Sequence, residues 1–242
     1  MQVNRKENEI AVLMAAGMGT RMRPLTERIP KPLVSVKGTP LIETIINGLK
    51  GRGIEEIYVV TGYLGEQLSY LKDKYPGLSL IRNNDYKTVN NISSIKAAAS
   101  VLRGRNAFIC EADLYVSDPG IFKDNLEGSC YYGVFVNGHS DDWVFDLDTS
   151  GFIKRVGKGG DDCYNMCGIS YFTGNDSAVI ADTVEERYGQ LGYADLFWDE
   201  VVNDNLNRLS LTVHPVRRDQ LVEIDTVEEL CTIDPDHYKE TI

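Results

Sequence analysis

The chain has 242 residues, 43% of them hydrophobic, enough to bury a sizeable core as a single domain over 1–242. A formal net charge of -11 argues against broad nucleic-acid binding or adhesion to acidic membranes, both of which use basic surface to displace counterions. No apolar run approaches a membrane span, and residues 1–9 are polar without a signal-peptide core, so a cytoplasmic protein is expected.

Residues 10–16 form a continuous apolar run, too short for a typical helix and bounded by Gly17, which reads as a buried parallel strand. In the loop that leaves its carboxyl end, Gly17 and Gly19 let the backbone approach a ligand with amide N–H groups facing phosphate oxygens. Arg21 and Lys31 add charge that pairs with oxyanions. A Walker loop would need Lys-Ser or Lys-Thr directly after its last glycine, and a dinucleotide fingerprint a third glycine near position 22. The chain has Thr20-Arg21 and Met22 there. Two glycines alone also fit any tight turn; with the two cations they outline a polyphosphate site.

Residues 33–36 read as a short strand, and Pro40 opens a helix with Leu41, Ile42, Ile45, Ile46 and Leu49 at helical spacing, ended by Gly51 and Gly53. Residues 57–60 form the next apolar strand, followed by a turn at Gly62 and a helix carrying Leu64, Leu68 and Leu71. A third strand covers 78–81. Asn91 is placed to cap a helix that buries Ile92, Ile95, Ala98, Ala99 and Leu102, and 107–110 is strand again. This alternation predicts an α/β fold with a doubly wound, mostly parallel sheet of the Rossmann-like kind, whose ligands bind at the strands' carboxyl ends. Asp113 stands at such an end, either capping a turn or holding a magnesium ion against phosphate oxygens.

Beyond 118 the pattern changes. Segments 131–136, 143–147, 152–156 and 163–172 read as antiparallel strands with no helix between them, a small β extension that walls an acceptor site, with 157–162 as a hairpin tip or loop. The nucleotide part thus covers about 10–118 and the acceptor part about 119–242 of one domain. Helical spacing returns over 178–188 and 196–202, and strands over 211–216 and 221–224. Glu223 and Asp225 lie two apart, so an extended backbone points both carboxylates one way, fit to share a metal; alternatively Asp225 or Thr226 caps the helix over 227–233, where Thr226 and Glu229 form a capping box. Cys110, Cys130, Cys163, Cys167 and Cys231 have no framework spacing and read as reduced core residues.

The run Gly17-x-Gly19-x-Arg21-x-x-Pro24-Leu25-Thr26, followed by Pro30-Lys31-Pro32-Leu33, resembles the signature of nucleotidyltransferases that activate sugar 1-phosphates and related esters. Taken with Asn90-Asn91, Ala112-Asp113, Trp143, the segment 195–199 and Glu223-Ile224-Asp225, the chain resembles the bacterial CTP:phosphocholine cytidylyltransferases over nearly all of 10–230. The resemblance implies that Gly17, Gly19, Arg21 and Lys31 bind the CTP phosphates, with Arg21 and Lys31 catalytic, and that Asp113, Glu223 and Asp225 hold Mg2+. It also implies that Trp143, Asp195, Phe197 and Trp198 surround the choline head, although Phe197 replaces an expected tyrosine. A preference for cytidine comes from the resemblance alone; Ala15, Gly62, Asn84 and Asn91 are placed to read a pyrimidine edge.

The expected reaction moves CMP from CTP to phosphocholine, giving CDP-choline and pyrophosphate. A phosphate monoester is largely a dianion at neutral pH and attacks the α-phosphorus without a general base, so the task is to neutralise two polyanions and hold them in line. No covalent enzyme intermediate is expected. A relative that activates 2-aminoethylphosphonate is the alternative, with Asp141, Asp142 and Asp195 as acceptors for its primary ammonium, then a sugar-1-phosphate transferase. A binding or regulatory module on this fold would not need Arg21, Lys31, Asp113 and Asp225 together.

Overall fold

The computed structural model describes residues 9–238. The polar amino-terminal segment 1–8 lies outside them. In chain order the elements are β1 (Glu9–Ala15), β2 (Ser35–Val36), β3 (Thr39–Pro40), α1 (Leu41–Arg52), β4 (Glu56–Thr61), α2 (Leu71–Lys74), β5 (Leu78–Arg82), α3 (Ile92–Leu102), β6 (Asn106–Glu111) and β7 (Leu114–Val116). After them come β8 (Cys130–Leu147), β9 (Ile153–Phe172), α4 (Gly174–Arg187), α5 (Trp198–Asp204), β10 (Thr212–Pro215), β11 (Leu221–Glu223), α6 (Val227–Ile233) and α7 (Pro235–Tyr238).

Seven strands form one sheet in the order β10-β8-β9-β6-β1-β4-β5. β6, β1, β4 and β5 run parallel, while β9 pairs antiparallel with both β6 and β8. The apolar run of β1 is buried on both faces, as a central parallel strand requires. Ala11, Leu13 and Ala15 pack with α1, through Ile42, Ile45 and Leu49, while Ile10 and Val12 pack on the other face with Ile92 and Ile95 of α3 and Trp198 and Val201 of α5. A third cluster ties Met22, Val34 and Leu41 to Ile224 and Leu230, so the loop after β1 is packed against the chain's carboxyl-terminal part. α1 ends at Gly53, whose φ of 97° suits glycine and whose N–H closes the last turn on Leu49 and Lys50.

The β extension differs from the expected four strands and loop. Each pair of expected strands is one long bent strand, and residues 157–162 lie inside β9, where Gly157 pairs with Val144 and Asp161 with His139. Register shifts along β8 and β9 let Phe145 pair with both Val156 and Tyr164, so the hairpin folds back on itself. Asp148 and Gly151 close the turn between the two strands, the Gly151 N–H donating to the Asp148 carbonyl at 3.1 Å, while the glycines and aspartates of 157–162 lie within a paired strand. The five cysteines are free thiols, all buried except the half-buried Cys231. No helix of the described residues is long and apolar enough to cross a membrane.

Candidate active site

The loop after β1 lies at the carboxyl edge of the parallel strands, where a cleft of about 210 Å³ is walled by Ala15, Gly17, Gly19, Arg21, Lys31, Asp113 and Asp225. The two glycines differ in what requires them. Gly19 has a φ of 59°, and a Cβ there would sit 2.9 Å from Lys31 Cβ and 3.1 Å from Thr26 Cγ2. Its carbonyl accepts hydrogen bonds from the Thr26 hydroxyl (2.7 Å) and the Met22 N–H (3.0 Å), which closes the turn. Gly17 has no atom within 4 Å of such a Cβ, so its bare backbone faces open space.

Lys31 joins the loop to two distant parts of the chain. Its buried ammonium donates to Asp113 Oδ2 at 2.7 Å and to Asp225 Oδ1 at 2.6 Å. Arg21, whose side chain is 68% exposed, reaches the other oxygen of Asp225 at 2.7 Å. Burial alone would lower the pKa of Lys31, but Asp113 and Asp225 outweigh it and hold the ammonium charged above its ordinary range. Asp113 is fixed by the turn between β6 and β7, where its carbonyl accepts from Ile224 N–H (3.3 Å) and Glu223 pairs with Leu114 across β7 and β11. Thr226, not Asp225, caps α6, through the expected capping box with Glu229. That leaves the Asp225 carboxylate to the cleft.

The expected metal ligands divide. Asp113 Oδ1 is buried without a hydrogen-bond partner, and oxygens of Glu111, Asp113 and Glu223 lie within 4.8 Å of one another. Within that group Asp113 and Glu223 offer hard oxygen donors suited to Mg2+, while Glu111 lines a separate cavity beyond Met14. Asp225, by contrast, has both oxygens engaged by Lys31 and Arg21. Glu223 keeps an exposed edge, yet the protein packed around its carboxyl, and then Asp113 and Asp225, push its pKa up to about 8. Glu111 was not anticipated from the sequence. Its place two residues before Asp113 at a strand end was the available signal. Burial, with Asp113, Glu223 and Asp199 beside it, raises its pKa well above the carboxylate range.

The residues expected at the base are less uniform. Ala15 lines the cleft. Gly62 is required by packing, since a Cβ would lie 2.5 Å from the Ala16 carbonyl oxygen, and its own carbonyl accepts from Arg82 (2.8 Å). Asn84 is exposed. Asn91 makes no side-chain cap on α3; its Oδ1 accepts the Trp198 N–H at 2.9 Å, while Asn90 bonds the carbonyls of Ala194 and Asp195. The pair therefore anchors the segment before α5.

The aromatics expected around the choline head are placed in different surroundings. Trp198 is only 3% exposed, stacked on Tyr131 and edge-on to Phe172 in the core. Trp143 and Phe197 do meet, edge to face at 5.5 Å, but the Lys158 ammonium lies over both rings at 6.0 and 5.9 Å. Asp195 is exposed. Asp141 pairs with His139 at 3.2 Å, and Asp142 accepts from Asn165 at 3.1 Å. Asp199, which lies in the first turn of α5, is buried against Tyr131, whose hydroxyl donates to it at 3.0 Å; burial pushes its pKa up to about 7.

Residues 11–144 match the family model described as the MobA-like NTP transferase domain. The chain is 51% identical over 228 residues to a 2-aminoethylphosphonate cytidylyltransferase of Lancefieldella rimae, covering 94% of this chain and 93% of that one. The chain is a cytidylyltransferase of the MobA-like NTP transferase family. A choline-phosphate cytidylyltransferase of Streptococcus pneumoniae is 32% identical over 219 residues, covering 90% of this chain and 94% of that protein. The solved structure of a CTP:phosphocholine cytidylyltransferase from the same species matches this cytidylyltransferase with a TM-score of 0.86 at 31% identity, over 94% and 98% of the two chains. The glycine loop, Lys31 and Asp113 are thus set in the fold of a nucleotidyltransferase.

Proposed function

We propose that this cytidylyltransferase moves CMP from CTP to 2-aminoethylphosphonate, releasing pyrophosphate. The observation that carries this acceptor over phosphocholine is the state of the three aromatics: Trp198 is in the core, and Trp143 and Phe197 are already faced by Lys158. A quaternary ammonium, which cannot donate N–H hydrogen bonds, would have to displace a protein cation to reach those rings. The similarity to the Lancefieldella rimae protein supports the same acceptor.

In the reaction, Gly17 and its neighbours bring bare backbone to the triphosphate. Arg21 and Lys31 exchange their carboxylate partners for phosphate oxygens, neutralising charge and orienting the α-phosphorus toward the incoming phosphonate oxygen. Asp113 and Glu223 would hold Mg2+, which supplies charge neutralisation of the pyrophosphate leaving group. The phosphonate attacks directly, forming the new P–O bond as the bond to pyrophosphate breaks. The test is pyrophosphate release with CTP and Mg2+, comparing 2-aminoethylphosphonate, phosphocholine and glucose 1-phosphate, with Asp113→Ala as control. Asp113-dependent preference for 2-aminoethylphosphonate is expected; preference for either other acceptor, or ping-pong kinetics, overturns the reading.

A further inference from the structure

A second, smaller cavity lies beyond Met14, the residue that lines it and the nucleotide cleft alike. It has room for one water-sized group, about 10 Å³, and its walls carry Glu111, Asp199, Trp198, Tyr131 and Gly168. Three facts set it apart from a packing defect. Glu111, half-buried at the end of β6, has no hydrogen-bond or ion-pair partner among the described residues, although Asp113, two residues on in the turn, has Lys31. Asp199 is 3% exposed, with the Tyr131 hydroxyl as its hydrogen-bond donor and the Glu111 carboxyl lining the same space. The Trp198 indole N–H is a buried donor without a partner, in a ring that lines the same space. Buried polar groups in that state are costly unless a ligand or water completes them.

We infer that Glu111 selects acceptors bearing a primary ammonium, accepting its N–H hydrogen bonds at the mouth of this cavity. One water behind it would accept from Trp198 and from the ammonium, and donate to Glu111 and Asp199, which uses all four of its valences. Gly168 leaves room for the carboxylate: a Cβ there would lie 2.9 Å from Glu111 Oε2. A trimethylammonium group has no N–H to donate to Glu111 or to that water. A site built to hydrogen-bond an N–H rejects the analogue that lacks it more strongly than an apolar pocket rejects an extra methyl. The inference rests on the proposed acceptor, and it adds to that acceptor's recognition a residue outside the aromatic segment.

The test compares 2-aminoethylphosphonate with n-propylphosphonate, which keeps the length and the phosphonate but has no ammonium. If the wild-type enzyme turns over phosphocholine or glucose 1-phosphate but not 2-aminoethylphosphonate, the acceptor reading fails, and this inference with it. If it uses 2-aminoethylphosphonate, Glu111→Gln decides the inference alone. A rise of about tenfold or more in KM for 2-aminoethylphosphonate is expected, with KM for CTP and the Mg2+ requirement unchanged and the preference over n-propylphosphonate reduced by a similar factor. Trp198→Phe, which keeps the ring but removes the N–H, should raise the same KM severalfold at unchanged melting temperature. An unchanged KM in Glu111→Gln overturns the inference, as does an equal loss with every acceptor together with a higher Mg2+ requirement, which would make Glu111 a metal ligand instead.

Discussion

The two halves of the sheet are furnished with different side chains. Where β6, β1, β4 and β5 run parallel, the strands end at one edge, and the groups gathered there are charged: Arg21, Lys31, Asp113 and Asp225, paired at 2.6 to 2.7 Å. Along β8 and β9 the notable side chains are aromatic, and most face one another, as Tyr131 faces Phe145 and Trp198. A buried charge needs a stated partner, so its role can be argued from position. A buried ring is equally at home in a core or a pocket, and its composition does not tell which.

Breaking the charged half should have the largest effect. Lys31→Ala leaves Asp113 and Asp225 facing each other without their shared cation, and pyrophosphate release should fall by about a thousandfold, with a lower melting temperature. Next is the contrast between the two glycines. Gly19→Ala sets a Cβ against Lys31 in a left-handed backbone, and should cost roughly 1–3 kcal/mol in urea unfolding, along with most activity. Gly17→Ala meets no atom, so it should fold normally and raise KM for CTP.

How much of this was legible from sequence follows the same division. The strand and helix alternation up to residue 118 specified the parallel sheet, because apolar runs of strand length buried on both faces have few other uses. The glycine loop and the cations stood out because they interrupt that pattern. Past 118, register shifts in the hairpin turned bends into apparent strand ends, and 157–162 read as a loop although it is paired. The resemblance assigns Trp198 to the head group, and its place in 195–199 does not show that Tyr131, far off in sequence, stacks on it. Glu111 was passed over beside the more familiar Asp113, since nothing local shows that it lacks a partner.

The aromatic half should respond to smaller changes. Asp199 has a folded pKa near 7 against an ordinary 3.8, so between those values the folded state holds a proton that the unfolded chain has released. Stability contributed in this way is complete below about pH 4 and is lost as pH rises through 7. Asp199→Asn should flatten that dependence and raise the melting temperature at pH 8 by a few degrees, read by calorimetry from pH 4 to 8. Smallest is Lys158→Ala. Removing a cation over two rings at an exposed site changes about 0.5–1 kcal/mol, so turnover of phosphocholine should improve only two- to fivefold, which sharpens how far those rings differ from an open cage.

Lys31 has a consequence for the order in which the enzyme comes into being. Its partners lie 82 and 194 positions further along the chain, the second one close to the carboxyl-terminal helices. The glycine loop is local in sequence, whereas the carboxylates that hold its lysine are not, so the cleft's charge cluster is a long-range assembly. Such an assembly closes only after three remote stretches have met, which makes the site a reporter of tertiary folding rather than of local loop structure.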